Sequence, residues 1–425
     1  MYKNIIIHAV VISAAAIYFP ALSQPVIINQ NDVDKILRGA EDDTRPITTA
    51  VPFMGITPNA TAAAVGDQGV ATKPDEYSAY WNPAKIIFNE KDYGAGLCVN
   101  PWLRNLGVND MYIGYLTAYY KLRKEDALAV HLTYFDLGSI QFTNNDGAPL
   151  GDFNPREYIV GASYSRMLGR GFSSGLSIKY IESNLTGSFT NSTGGAARPG
   201  RTAAADIGFY YNRDIVMFDR DFNLSAGLSI SNIGGKINYS NNNRADFIPT
   251  ILRLGSGLTY EVDDFNKFGF FVEASKLLVP SPQIVYLKKV GLSDVDSLTA
   301  DGAKIPATPT QYFTPNKGIV DGMFTSFGDA PFGASEEFKE IMFSFGVEYW
   351  YDNLFALRTG YFHENAQKGN RKYFCVGFGL RYQTVGLDLA YIIPTVYNHP
   401  LANTIRISVS VNMNKPEKDQ ESVIE

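Results

Sequence analysis

The chain has 425 residues, a net charge of −6 and no Lys/Arg-rich run, which argues against a nucleic-acid partner. Mean hydropathy is −0.10, too low for a bundle of membrane helices, although a strand-built barrel hides its apolar content by alternation and stays open. Aromatic residues reach 13%, with 26 Tyr and 27 Phe against 3 Trp.

Met1 to Ser23 has the form of a secretory signal: Lys3 supplies the positive start, Ile5 to Phe19 are mostly apolar, and Ala21-Leu22-Ser23 offers small residues before Gln24. The mature chain is therefore expected to be exported. Residues 24–90 lack alternation and contain Pro46, Pro52 and Pro58, which exclude a long helix or a central strand. This region is expected to begin as a periplasmic segment, Gln24 to Thr49 being its leader. From Asn59 to Ala84 it is expected to fill a lumen as a plug, because irregular backbone is tolerated at membrane depth only where protein or water surrounds it.

From Asp92 onward a period of two predominates. The clearest case sets Phe222, Leu224, Ala226, Leu228 and Ile230 against Asn223, Ser225, Gly227, Ser229 and Ser231. Another sets Ile341, Phe343, Phe345, Val347 and Tyr349 against Met342, Ser344, Gly346, Glu348 and Trp350. Strands are predicted at 92–99, 111–121, 126–137, 156–167, 172–183, 202–212, 221–232, 249–262, 266–278, 337–350, 354–363, 371–382, 385–393 and 403–413. These are roughly fourteen strands of roughly ten residues, an even number and a length suited to tilted strands crossing a bilayer. Their connections alternate. Residues 123–125, 168–171, 263–265, 351–353 and 383–384 are short, 213–220 and 364–370 are medium, and 100–110, 138–155, 184–201, 233–248, 279–336 and 394–402 are long. Short turns on one rim and long loops on the other are the asymmetry of outer-membrane barrels, whose short turns are periplasmic. The fold expected is all-β: a transmembrane up-and-down antiparallel β-barrel over residues 91–413 with an N-terminal luminal plug. Both termini are expected to be periplasmic, with 414–425 as a polar tail.

Chemistry is hard to find. There is no G-x-S-x-G, H-E-x-x-H or phosphate-loop pattern, and His131, His363 and His399 are scattered, so no catalytic residue, metal site or cofactor is expected. Asn144-Asn145-Asp146-Gly147 reads as a turn. Cys98 and Cys375 fall on distant strands and are expected to be free.

Three stretches exceed what a barrel wall needs. Tyr80-Trp81-Asn82-Pro83-Ala84 reads either as a turn with Trp81 at the membrane interface or as the anchor of the plug. Pro101-Trp102-Leu103-Arg104 puts an apolar pair on the long-loop rim, where it needs lipid, a neighbouring loop or a partner. The extracellular insertion 279–336 carries Tyr286, Tyr312, Phe313, Phe324, Phe327 and Phe332, too many aromatics for a disordered tail, and is expected to fold over the rim or dock on another protein.

The first two of these stretches, together with Asn59-Ala60, Ala62 to Gly69, Gly227 to Ile237 and Ile248 to Gly255, make the chain resemble the PorV family. PorV proteins are outer-membrane barrels of the Bacteroidetes type IX secretion system, FadL-like in architecture. The resemblance implies a barrel that does no chemistry. It would bind the translocon barrel of that system, accept secreted proteins bearing a C-terminal signal domain, and pass them to the PorU-type sortase complex at the cell surface. Its apolar face would meet lipid, lipopolysaccharide or a neighbouring barrel. Two other functions compete. A FadL-like transporter of long-chain fatty acids or other hydrophobic molecules would need an apolar luminal pocket, and a general porin would need an open lumen.

Overall fold

The computed structural model describes residues 45–104, 107–143, 149–185, 187, 198–239, 245–285, 311–331, 333–395 and 404–415. The expected signal segment, residues 24–44, the Asn144–Gly147 turn, Tyr286, Phe332, His399 and the tail beyond Lys415 lie outside them.

Alternating sequence becomes strand throughout. Fourteen strands close one antiparallel barrel. They are β1 (Tyr93–Pro101), β2 (Tyr112–Lys121), β3 (Asp126–Asp136), β6 (Arg156–Gly169), β7 (Phe172–Asn184), β8 (Gly200–Met217), β9 (Arg220–Gly234), β10 (Ile251–Glu261), β11 (Asn266–Leu277), β14 (Ile341–Tyr351), β15 (Phe355–His363), β16 (Lys372–Tyr382), β17 (Val385–Pro394) and β18 (Ile405–Met413). Neighbours in sequence are neighbours in the wall, and β18 returns to pair with β1 from Tyr93↔Met413 to Val99↔Ile407. Among the described residues two two-stranded sheets stand outside the barrel sheet, β4 (Ile140–Thr143) with β5 (Pro149–Phe153) and β12 (Gln283–Val285) with β13 (Gln311–Phe313).

Burial is inverted relative to a soluble protein. Outward residues are large, apolar and exposed, such as Leu97, Leu116, Ile178, Leu254 and Leu357, while inward Ser165, Ser229, Arg358, Asp388 and Arg406 are buried. Such a surface is stable only against lipid. Outward aromatic pairs bracket it. Phe172–Phe209, Phe222–Tyr260 and Phe268–Tyr349 lie toward the short turns, and Tyr112–Tyr134, Tyr158–Tyr180 and Tyr361–Phe374 toward the long loops. These are the interfacial girdles of a membrane barrel.

Most strands differ from their predicted bounds by a residue or two, and at β8, β9, β10 and β14 the difference has a plain cause. β10 starts at Ile251 because Pro249 has no N–H for the ladder. Residues 337–339, predicted as the start of a strand, instead belong to a helix over Ala334–Lys339 held by ion pairs described below, and β14 begins only at Ile341. The predicted loop 213–220 is instead the continuation of β8 and β9 into one long hairpin.

Candidate functional site

The helices preceding the barrel are short, as their prolines and small residues require. A 3-10 turn covers Pro52–Gly55, α1 covers Ala60–Ala64, α2 covers Ser78–Trp81, and a second 3-10 turn covers Pro83–Phe88. Their path runs from one rim to the other. Arg45 N–H donates to the Gln367 carbonyl and Ala50 N–H to the Phe247 carbonyl, both in connections on the long-loop rim. At the other end Lys121 Nζ donates to the Asn89 carbonyl, beside the short turns. Residues 45–49, expected in a leader on the short-turn side, thus sit at the opposite rim. The cause is apolar: Val51, Phe53 and Met54 bury themselves against Ile113, Phe135, Ile159, Ile181 and Ile248 at the long-loop end of the wall.

Between these ends the segment is bonded to inward side chains around the wall. Ala60 N–H donates to Ser408 Oγ at 2.8 Å, and Gly69 and Val70 N–H both donate to Glu273 Oε2 at 2.9 Å. Ser165 and Ser173 hydroxyls donate to the Ala84 carbonyl at 3.0 and 2.6 Å, Ser225 to Ala71 at 2.7 Å, and Ser229 to Trp81 at 3.0 Å. Arg406 Nη1 reaches Asp67 Oδ1 at 2.6 Å, and the Tyr373 hydroxyl donates to the other carboxylate oxygen. Irregular backbone has polar groups that need partners away from bulk water, and wall serines and carboxylates supply them. Small inward residues supply the room. A Cβ at Gly175 would overlap the Ala84 amide nitrogen, and one at Gly360 the Gly66 amide nitrogen.

The five predicted anchor residues come together inside the barrel. Tyr80 donates through its hydroxyl to the Met54 and Ile56 carbonyls at 3.0 and 2.9 Å. Trp81 is 3% exposed, away from the membrane interface, with Nε1 donating to Asn59 Oδ1 at 3.0 Å and the Arg253 guanidinium 5.2 Å from its ring centre. Asn82 caps the second 3-10 turn by accepting from Ala84 N–H, with Pro83 at the first position, and donates through Nδ2 to the Phe209 carbonyl of β8 at 2.9 Å.

The long-loop residues divide between two arcs of their rim. Over β1–β3, Trp102 N–H donates to the Met111 carbonyl and the indole packs edge-on to Phe135, while Leu103 takes φ 51° and Arg104 is exposed. Over β11 and β14, Phe324 on α3 (Ile319–Thr325) is 74% exposed and Phe327 is 54% exposed. Tyr312 and Phe313 lie in β13, paired with β12. This second arc is fastened by α4 (Ala334–Lys339) through a buried ion network. Lys276 meets Glu337 and Glu340 at 3.1 and 2.6 Å, Lys368 meets Glu336 and Glu340 at 2.6 and 2.8 Å, and Arg45 meets Glu336 at 3.0 Å. Between the arcs lies a cavity of about 910 Å³ lined by Val51, Leu185, Lys236, Tyr239, Phe247 and Asn316, among others. Lys236 stacks over Phe247, and burial lowers its ammonium pKa against the opposing pull of Asp246.

The residues missed from the sequence are the inward charges: Asp67, Arg253, Glu273, Glu348, Arg358, Asp388 and Arg406. Strand parity carried the signal, since each of the six on strands stands among the small residues rather than the greasy ones. Arg358 on β15 joins Glu348 on the adjacent β14 at 2.5 Å and reaches across β16 to Asp388 on β17 at 2.8 Å. Among the described residues no His/Cys/Asp/Glu group is arranged to hold a metal, and Cys98 and Cys375 are free and buried.

A closed antiparallel barrel with a lipid-adapted exterior and a polar, filled interior defines an outer-membrane β-barrel protein. The family model described as "Type IX secretion system protein PorV" matches residues 39–284, and the chain belongs to that family. It is thus a component of the type IX secretion system, located in the outer membrane. Similar solved structures include the Ralstonia pickettii toluene transporter TbuX, at 10% identity over 85% of this chain and 100% of that one, TM-score 0.44. The Pseudomonas putida toluene transporter TodX matches at 12% identity over 83% and 97%, TM-score 0.46. A Pseudomonas aeruginosa FadL homologue matches at 11% over 87% and 100%, TM-score 0.40. No curated protein matches.

Proposed function

We propose that the barrel is a non-enzymatic, plugged carrier whose working surface is its long-loop rim. It would bind the translocon barrel, accept secreted proteins with a C-terminal signal domain, and deliver them to the PorU-type sortase complex. The observation that carries this reading is the filled lumen. Residues 57–89 are almost wholly buried, and their backbone is bonded to side chains of many strands, so the interior is committed to holding its own chain. Recognition is then left to the rim, where Trp102, Phe324 and Phe327 offer aromatic surface of the kind that anchors interfaces. The short-turn rim, with Met413 and Lys415, is assigned to the periplasm, and the exposed apolar wall to lipid or lipopolysaccharide. Deleting the gene and following cargo is the test: cargo should accumulate in the periplasm, and full export with surface attachment would refute the carrier role.

A second reading, a FadL-like transporter of hydrophobic molecules, draws on the 910 Å³ cavity with Val51, Leu185, Tyr239 and Phe247 in its wall. The buried Ser, Glu and Arg residues below it disfavour passage of an apolar molecule. Uptake of a labelled fatty acid, lost on deletion while cargo export persists, would favour transport over the carrier role.

A further inference from the structure

The wall is uneven where β8 and β9 end, at the rim opposite the proposed partner loops. β8 stops pairing with β7 at Phe172↔Tyr211, and β9 stops pairing with β10 at Phe222↔Tyr260. The two strands nevertheless continue together through Arg213↔Leu224, Ile215↔Phe222 and Met217↔Arg220. Their turn at Phe218 lies four residues past the girdle residue Phe222, which at roughly 3.3 Å per residue and 40° tilt is about 10 Å beyond it. The headgroup layer is only about 5–8 Å deep, so the tip stands clear of lipid.

Three features of this tip have no structural use. The turn is made by Phe218 and Asp219 with φ of 54° and 58°, a two-residue loop that favours Asn-Gly and strains a bulky ring. Phe218 is 91% exposed and Val216 72% exposed, the latter on the face turned toward the barrel axis rather than toward lipid. The edge of β8 is open. Asn212 N–H donates to the Gly171 carbonyl of the neighbouring turn, and strand parity directs the N–H and C=O of Asp214 and Val216 the same way, beyond the last residue of β7 that could pair with them. Unpaired edges of this kind are templates for an added strand.

We propose that residues 213–218 are a docking edge for an extended segment of a partner polypeptide, which pairs with Asp214 and Val216 and receives the Phe218 ring in an apolar pocket. The partner's axis-facing side is basic, because Asp214 and Asp221 share that face and join no ion pair among the described residues. This site is independent of the partners assigned to the long-loop rim.

The test uses the full-length protein in its native outer membrane with a photo-crosslinking amino acid at Phe218. A discrete protein adduct is expected, reduced at least tenfold by Val216→Pro. That change removes only the edge-facing N–H and leaves the β8–β9 ladder bonded; an unchanged heat-modifiable gel shift would show the barrel intact. Asp214→Lys should weaken the adduct as well. Crosslinks to phospholipid alone, to a second copy of this chain, or to a protein at a yield indifferent to Val216→Pro would overturn the proposal. Failure here would leave cargo export unaffected, and so separates from failure of the carrier role.

Discussion

The Asp67–Arg406 pair ties the luminal segment to β18 at a buried point, and its removal tests whether the segment is part of the fold. Arg406 is 1% exposed and draws its charge partner solely from Asp67 Oδ1 at 2.6 Å among the described ion pairs. Asp67→Asn keeps the left-handed backbone at φ 54°, which Asn tolerates, and keeps an acceptor, but leaves the guanidinium buried without an anion. Breaking such a pair from one side costs about 3–5 kcal/mol, and the retained acceptor places this change near 3. Arg406→Met, leaving the carboxylate to Tyr373 alone, should cost a similar amount. The double variant buries no unmatched charge, so its loss should fall short of the sum by about 2 kcal/mol or more. Urea unfolding in phospholipid vesicles, followed by heat-modifiable gel mobility, gives all three values. If Asp67→Asn lies within about 0.5 kcal/mol of the wild type, or the double variant is additive, the pair does not couple the segment to the wall and the reasoning fails.

Other substitutions probe the remaining contacts. Gly360→Val drives a side chain into the Val65–Gly66 backbone and should cost about 1–3 kcal/mol or more, whereas Gly114→Ala, whose nearest neighbour is 3.9 Å away, should change stability by less than about 0.5 kcal/mol in the same assay. Lys276→Met leaves Glu337 and Glu340 without that cation, and limited proteolysis should then cut residues 314–339 at least severalfold faster. Phe324→Ser, on an exposed ring, should leave the melting temperature unchanged and weaken capture of the translocon barrel about tenfold. Trp102→Ala should weaken it too, while also lowering stability by about 1–2 kcal/mol through its packing on Phe135.

The barrel was legible because a period of two is a local property. Once Ser225, Ser229 and Ser231 share a face opposite Leu224, Leu228 and Ile230, only the orientation of that face remains open, and the alternation of short and long connections resolves it. The helix over Ala334–Lys339 was not legible. Phe338 alone suited either period, and the decisive partners, Lys276 and Lys368, lie about sixty residues before it and thirty after it. The hairpin tip was misread because Arg213-Asp214 and Asp219-Arg220-Asp221 look like turn residues, although Ile215, Met217 and Phe222 continue the outward row.

The luminal segment shows the same division. Its prolines, alanines and glycines announced irregular backbone in need of shelter, and Tyr80 to Ala84 marked its anchor. Nothing local said that Arg45 to Val51 would emerge at the long-loop rim, since that follows from where Ile113, Phe135, Ile159 and Ile181 gather in the closed wall. Alternation and turn length are written along the chain and determine strand, register and rim. The ion pairs, the direction of the luminal chain and the free edge of β8 depend on residues far apart in sequence, and only closure of the barrel brings them together.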